Sequence, residues 1–535
     1  MSTFHLNTPG LDHPPAFTNA RSCRDWLAVQ PISNAPRAQA LMLRQLNLLN
    51  RHALPAAERL KILELLREPI KFVQTECSRK FAGRPLPLAT SEQTGMDANR
   101  NLWQALQIGY LHCLEACLQG DAEILPQAAL VAQRAIGALR AELLDIYRAP
   151  TEPPASMWQN LHRIYGAAER LGVTENPKED SLQANPPADS VTADYVQTLL
   201  LHRASPYEFS ARQLMQVWHW LHRWGKKVPV LSGPPADPRV PPMIVDLSSD
   251  QPEAALPQAG SDPRWLDLST LSRSIKKRIV YLERGESPAS LGLGDDCVQP
   301  ACSNLLVHLY RHWFKGGTAR LHQRRVGNGV CGLVTGFDAL HFHLTGKAFQ
   351  QPGQAADMTA RQHEEIATFG SVAVRQNDDI SQAPDYMIEE WQVLDESPAG
   401  LRLSRPLSQG GARIGGDQLV AVRPAGTQTF LLAVARWSRI AGECDLQAGV
   451  NLLPGTPRPV AVRGTGLSAA NEKYRHGFLL PPVALLEEPE AVIVPAGWFR
   501  AGRAIELYTD SSRQIRLTRL LDRGSDFERA AFESL

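Results

Sequence analysis

The hydrophobic periodicity of this chain of 535 residues changes along its length, and this change constrains the fold most. Over residues 1–230, apolar side chains recur three or four positions apart, as at Leu43, Leu46 and Leu49, which predicts amphipathic helices. Beyond residue 316, short alternating runs are separated by Gly, Pro and Asp, which predicts a β-barrel or sandwich. The chain is therefore predicted to be a multidomain α + β protein.

Composition shifts predict the domain boundaries. Five prolines fall within nine positions between Pro234 and Pro242, which is typical of a linker. We predict five segments: an α-helical bundle (1–230), a Pro-rich linker (231–265), a helical connector (266–316), an antiparallel β-barrel (317–463) with a polar insertion (350–386), and a β-rich C-terminal extension (464–535).

Charge and hydropathy exclude several classes of protein. There are 56 basic and 55 acidic side chains, whereas a general binder of DNA or RNA needs a clear basic excess to meet phosphates. No run of about 18 apolar residues occurs, so no membrane span is expected. Residues 1–10 lack a basic stretch followed by an apolar one, so no secretory signal is expected. We predict a cytoplasmic protein.

Cysteine and histidine spacing gives no clear metal site. Eight cysteines in so long a chain do not form a disulfide framework, and the Cys297–Cys302 spacing is not that of a zinc site. We expect reduced, buried thiols. His308 and His312 could share a metal on a helix, but the glutamate of a metalloprotease helix is missing, so a packing role is favoured. No metal is predicted.

One glycine-rich motif is also set aside. Gly327 to Gly332 satisfies GxGxxG, but the following residues 333–344 are predicted to be strand rather than the helix that a dinucleotide site needs. On this strand, His341 and His343 would share a face. No grouping of nucleophile, base and oxyanion donors is found, so we do not expect an enzyme.

Two groups of residues carry the functional argument. The first is a set of arginines just ahead of the first strand of the β region: Arg320, Arg324 and Arg325. The second lies at a turn between two predicted strands: Asp395, Ser397 and Gly400. This order, RxxxR followed by DxSxxG, resembles the PilZ family of cyclic di-GMP receptors over residues 317–463. The strand-like runs at 416–420, 432–437 and 446–450 extend the resemblance.

The resemblance implies a PilZ-like barrel that binds cyclic di-GMP through these six residues, with no other cofactor. The chemistry fits, because an arginine can grip phosphate or a guanine edge with two hydrogen bonds. An Asp carboxylate can accept hydrogen bonds from guanine N–H groups or orient an arginine, and a serine hydroxyl can meet a phosphate. Gly400 would allow a tight turn and close approach of the ligand.

The predicted function is that of a bacterial adaptor that relays second-messenger level to an unidentified protein partner, through the helical N-terminal half. The resemblance implies an output in motility, pili, biofilm or secretion. A different class of function stays open: a scaffold or chaperone-like interaction protein whose degenerate barrel binds no nucleotide. Its activity would survive loss of Arg324 and Arg325.

Overall fold

A computed structural model describes residues 3, 4, 6, 14–180, 182, 189–315, 324–352, 386–442, 444–465 and 472–535. The chain divides into two compact units: Met1–Arg84 with Leu88–Arg320, and Pro85–Pro87 with Leu321–Leu535. The finer division into five segments stays a prediction. No helix in the described ranges is long and apolar enough to cross a membrane.

Helices dominate the first unit, as the periodicity predicts. They are α1 (Ala20–Ala28), α2 (Ala35–Arg51), α3 (Ala56–Ser78), α4 (Thr90–Leu118), α5 (Ala128–Arg148), α6 (Ala155–Arg170), α7 (Val191–Arg203), α8 (Ala211–Trp224), α9 (Ser269–Glu283) and α10 (Ala301–Phe314). Helix α7 is buried on all sides from Val191 to Leu201, so it is the centre around which its neighbours pack.

A small antiparallel sheet lies in the same unit, within and beside the proline-rich segment. It consists of β1 (Val230–Leu231), β2 (Met243–Asp246) and β3 (Pro263–Leu266), in the order β1-β3-β2. Met243 and Val245 are fully buried. The alternation of these two side chains fixes one face of β2 on the helical core, so this part of the segment is folded.

The second unit begins with a closed six-stranded antiparallel barrel, and the predicted barrel fold is confirmed. Its elements are β4 (Arg325–Val326), β5 (Val330–Thr335), α11 (Phe337–Thr345), β6 (Glu389–Ser397), β7 (Gly400–Pro406), β8 (Gln418–Arg423), β9 (Leu431–Ala441) and β10 (Asp445–Leu452). The barrel order is β6-β5-β8-β9-β10-β7, and it closes because β7 also pairs with β6. Strand β4 adds a short ladder on β6.

The β-rich C-terminal region is a second closed barrel. Its strands are β11 (Arg458–Gly464), β12 (Arg475–Leu480), β13 (Ala491–Pro495), β14 (Ala504–Tyr508), β15 (Ser512–Arg523) and β16 (Phe527–Ser534). The order is β11-β12-β13-β16-β15-β14, and β11 closes it by pairing with β14. Leu419 and Val434 of the first barrel share one apolar cluster with Phe478, Ile493 and Phe527 of the second.

Two local predictions were wrong. Residues 333–344 are not one strand: β5 ends at Thr335, and α11 follows Gly336, whose φ of 87° ends the strand. Asp338 then lies in the first helical turn, where its charge is favourable, and Gly346 in the left-handed region ends the helix. His341 and His343 are therefore helical, not strand residues.

Cys297 and Cys302 are also not reduced thiols, because a disulfide joins them. The turn that leads into α10 brings their Cα atoms within 5.4 Å, a separation that a disulfide can span. The prediction of buried free thiols holds at Cys113 and Cys117.

Candidate functional site

The two predicted motifs meet on the first barrel. Arg324 directly precedes β4, and its Nη1 donates a hydrogen bond to Oδ1 of Asp395 on β6. Pairing of β4 with β6 produces this contact, since Val326 lies opposite Asp395 and Arg325 opposite Glu396. Arg325 is exposed. Arg320 lies outside the described residues.

A β-bulge in β6 determines which way Asp395 faces. Val393 lies opposite Leu403 in the core, and the register then shifts so that Asp395, rather than Leu394, lies opposite Arg402. Neighbouring strand residues face opposite sides, so without the extra residue Asp395 would point toward the core. The bulge therefore turns this carboxylate to the outer face, where Oδ2 lies 3.9 Å from Arg402 Nη1.

Further arginines lie on the same outer face. Arg402 Nη2 donates to Gln447 Oε1 of β10 at 3.0 Å, and Arg439 Nη2 of β9 donates to the same oxygen at 3.2 Å. Arg402 Nε is buried and has no hydrogen-bond partner among the described residues. We call Arg324, Arg402 and Arg439, with Asp395 and Gln447, the arginine cluster. Arg324 and Arg402 share the single carboxylate of Asp395, and this excess of positive charge favours an anion.

An aromatic ring lies beside the cluster. Gly449 on β10 is opposite both Arg402 and Trp437. A Cβ atom at position 449 would come within 2.2 Å of Trp437 Nε1, so the half-buried indole lies directly over this glycine. An indole next to guanidinium groups is a surface on which a nucleic-acid base can stack.

Ser397 and Gly400 form the hairpin that joins β6 to β7. They lie opposite one another, and Ser397 Oγ donates to the Gly400 carbonyl oxygen at 3.2 Å. A Cβ atom at position 400 would lie 2.3 Å from the carbonyl oxygen of Val450, so glycine is needed here for β7 to approach β10. This gives Gly400 a packing role; its contact with a ligand stays a prediction.

Sequence reasoning missed Arg402, Arg439, Gln447 and Trp437. Each comes from a strand whose register depends on pairings distant in sequence. One local signal was present: Arg402 stands between Leu401 and Leu403, which are both buried, so strand alternation places it outside.

The fold and site thus define a class: a multidomain protein with a helical unit, two antiparallel barrels and an arginine cluster on the outside of the first barrel. Comparison with known proteins adds two matches. Residues 21–236 match the family model "Cyclic-di-GMP receptor FimW, N-terminal domain", and residues 460–535 match "FimW C-terminal beta-barrel domain". The chain therefore resembles a cyclic di-GMP receptor family in its helical unit and its second barrel.

A full-length relative agrees with these matches. The cyclic-di-GMP receptor FimW of Pseudomonas aeruginosa is 24% identical, over an alignment that covers 90% of this chain and 85% of that protein. The first barrel, which carries the PilZ resemblance, lies between the two ranges that the family models match.

Proposed function

We propose that this chain is a cyclic di-GMP-binding regulator and that its first barrel is a PilZ-like receptor domain. The contact between Arg324 and Asp395 carries the proposal, because it joins the two motifs in one place although they lie far apart in sequence. The relative named as a cyclic di-GMP receptor supports the same ligand. A binding role, without catalysis, follows from such a receptor.

The arginine cluster supplies the chemistry for this ligand. Cyclic di-GMP offers two phosphates and two guanine edges, and both kinds of group accept two hydrogen bonds from one guanidinium. Arg324 and Arg402 are only 30% and 34% exposed, so part of their solvation is already lost before a ligand arrives. The Trp437 ring would stack on a base, while Asp395 accepts from guanine N–H groups.

Arg325 extends the site on the side of β4. Arg325 is exposed and lies opposite Glu396, so its charge is accessible to a phosphate. We assign the ligand to Arg320, Arg324, Arg325, Asp395, Ser397 and Gly400, as the PilZ resemblance implies, and add Arg402, Arg439 and Trp437 from the structure. Gly400 contributes to the site indirectly, through the shape of the hairpin that joins β6 to β7.

A receptor must convert binding into a change that a partner can detect. The ligand shifts any such equilibrium only by its differential affinity for the two states. We propose that the protein partner binds the helical unit. Binding of the ligand to the arginine cluster would change how well the partner binds there. The ligand is then the input, and the output is protein binding in motility, pili, biofilm or secretion.

Calorimetric titration of cyclic di-GMP into the full chain tests the proposal. We expect micromolar or tighter binding, reduced at least tenfold in R324A/R325A and, separately, in R402A/R439A. The matched control is R475A/R516A, which removes two exposed arginines from the second barrel. Cyclic di-AMP, which has phosphates but no guanine, should bind more weakly than cyclic di-GMP.

The alternative scaffold function predicts a different result. A folded wild-type chain that gives no heat with cyclic di-GMP would contradict the receptor proposal and favour a degenerate barrel. Equal losses in R324A/R325A and in the control would contradict the location of the site, because general charge would then explain the binding.

A further inference from the structure

Three side chains with metal-ligating atoms converge in the first unit. Glu208 lies in the turn after α7, and His308 and His312 lie one helical turn apart on α10. One ligand atom from each residue lies within 4.8 Å of the other two. The sequence spacing alone supplied only the two histidines, since the carboxylate comes from a distant turn.

Hydrogen bonding leaves His308 with a nitrogen available to a metal. Its Nε2 lies 2.9 Å from the carbonyl oxygen of Ala204, which can only accept, so Nε2 carries the hydrogen. In a neutral imidazole Nδ1 then presents a lone pair, and it lies 3.9 Å from Glu208 Oε2. Two lone pairs that face each other need a proton or a cation between them. A carbonyl that orients the far nitrogen is also the usual support of a metal-bound histidine.

His312 provides a second, independent observation. Its Nε2 is buried and has no hydrogen-bond partner among the residues that the structure describes. An unpartnered buried polar atom is costly, at about 1–3 kcal/mol, and calls for an explanation. The ring stacks on His308 with centroids 4.2 Å apart.

The surroundings hold these groups in position. Ser205 Oγ donates to Glu208 Oε1 at 2.9 Å, which leaves Oε2 as the oxygen nearest His308. The Phe209 ring packs edge-on against His308, with centroids 5.1 Å apart. Arg203, whose Nε donates to the His312 carbonyl oxygen at 3.4 Å, is paired with Glu253 at 2.7 Å, so its charge is largely balanced.

We propose that Glu208, His308 and His312 bind a divalent transition-metal ion. The ligands would be Glu208 Oε2, His308 Nδ1 and His312 Nε2, with water at a fourth position. Two imidazoles and one carboxylate are a set that suits Zn²⁺ in tetrahedral geometry. Because the ion would join the 204–209 turn to α10, its role is to fasten these two segments, and it is independent of nucleotide binding at the first barrel.

Titration of Zn²⁺ into the EDTA-treated and dialysed full chain tests the proposal by calorimetry. We expect one equivalent at micromolar or tighter affinity and a higher Tm with zinc. Affinity should fall at least tenfold in H308Q, H312Q and E208Q. H219Q, at an exposed position on α8, and C444S, at an exposed thiol, should bind as the wild type does.

A second measurement needs no variant and so does not depend on variant folding. Diethyl pyrocarbonate modifies accessible imidazoles, and zinc at one equivalent should protect His308 but not His219. Absence of zinc binding by the wild type at 100 micromolar would overturn the proposal. Equal binding by H312Q and wild type, or unchanged modification of His308 with zinc bound, would also overturn it.

Discussion

Replacement of Gly400 by alanine should damage the first barrel through the backbone rather than through the ligand. The added Cβ would lie 2.3 Å from the Val450 carbonyl oxygen and 3.3 Å from the Asn451 Cα. These obstacles are main-chain atoms of β10 and cannot rotate away, so β7 and β10 must separate by about 1 Å at this pair. Overpacking of this kind costs about 1–3 kcal/mol, and a weakened ladder hydrogen bond adds about 1 kcal/mol.

The expected loss is therefore about 2–4 kcal/mol in the first barrel. A chain with several domains has no single two-state unfolding free energy. We therefore choose hydrogen exchange measured by mass spectrometry, which localises the loss of stability to particular strands. Peptides from β7 and β10 should exchange on the order of 30-fold faster or more in G400A.

The control is G416A in the same barrel, where the nearest atom to an added Cβ is 3.8 Å away. This variant should exchange as the wild type does. Wild-type protection of β7 and β10 in G400A would refute the packing argument, and Gly400 would then be free to serve the ligand directly. If β7 and β10 do exchange faster in G400A, a loss of nucleotide binding in this variant would not show that Gly400 contacts the ligand.

Two further predictions concern stability. Burial lowers the pKa of three histidines to about 4: His112, His222 and His341. The unfolded chain therefore binds protons that the folded chain does not, and stability should fall between about pH 6.5 and 4, by on the order of 2 kcal/mol per group at pH 5. Hydrogen exchange in α8 at pH 7.5 and 5.0, corrected for the intrinsic pH dependence of exchange, measures the effect of His222, and an H222Q variant whose α8 protection is as pH-sensitive as that of the wild type would contradict it. Arg436 donates to Asp522 Oδ2 at 2.6 Å and to Asp417 Oδ1 at 3.0 Å. R436M should therefore lower stability by about 1–2 kcal/mol, because it leaves two carboxylates without their cation. An unchanged exchange rate in β8 and β15 would show that the two carboxylates find other partners.

The sequence predicted the elements whose signals are local. Leucine periodicity was enough for the helices, and alternation bounded by turn residues was enough for the barrel strands. Helix α11 was missed because Phe337 to Leu344 is apolar enough to fit either period, and Gly336 decides between them by its positive φ. The closure of the second barrel was missed because it depends on pairing of β11 with β14, which no local pattern encodes.

The candidate site likewise contains residues that a local motif predicts and residues that only the folded structure brings together. Arg324 and Asp395 were found because each belongs to a recognisable motif next to strand-like sequence. The bulge at Leu394 is invisible in the sequence, yet it decides that Asp395 faces outward. Arg402 and Arg439 join the site only through the register of β7, β9 and β10, and Glu208 meets His308 only through tertiary packing.

The pairing of Arg324 with Asp395 should make the site selective as well as basic. A ligand that offers only phosphate takes Arg324 from the carboxylate and leaves Asp395 with a like-charged neighbour. A guanine ligand can give Asp395 two N–H donors in return, so the lost ion pair is replaced. We therefore expect D395A to bind inorganic phosphate or pyrophosphate more tightly than the wild type and cyclic di-GMP at least tenfold more weakly.

The ratio of the two affinities measures this selectivity, with D510A, an exposed aspartate of the second barrel, as the charge-matched control. The ion pair itself is partly exposed, so its loss should change folding stability by less than about 1 kcal/mol, and the affinity change would not reflect unfolding. If D395A weakened both ligands equally, Asp395 would act by orienting Arg324. If it strengthened both, the carboxylate would be only a competitor for the arginine, and guanine would have to be recognised elsewhere in the arginine cluster.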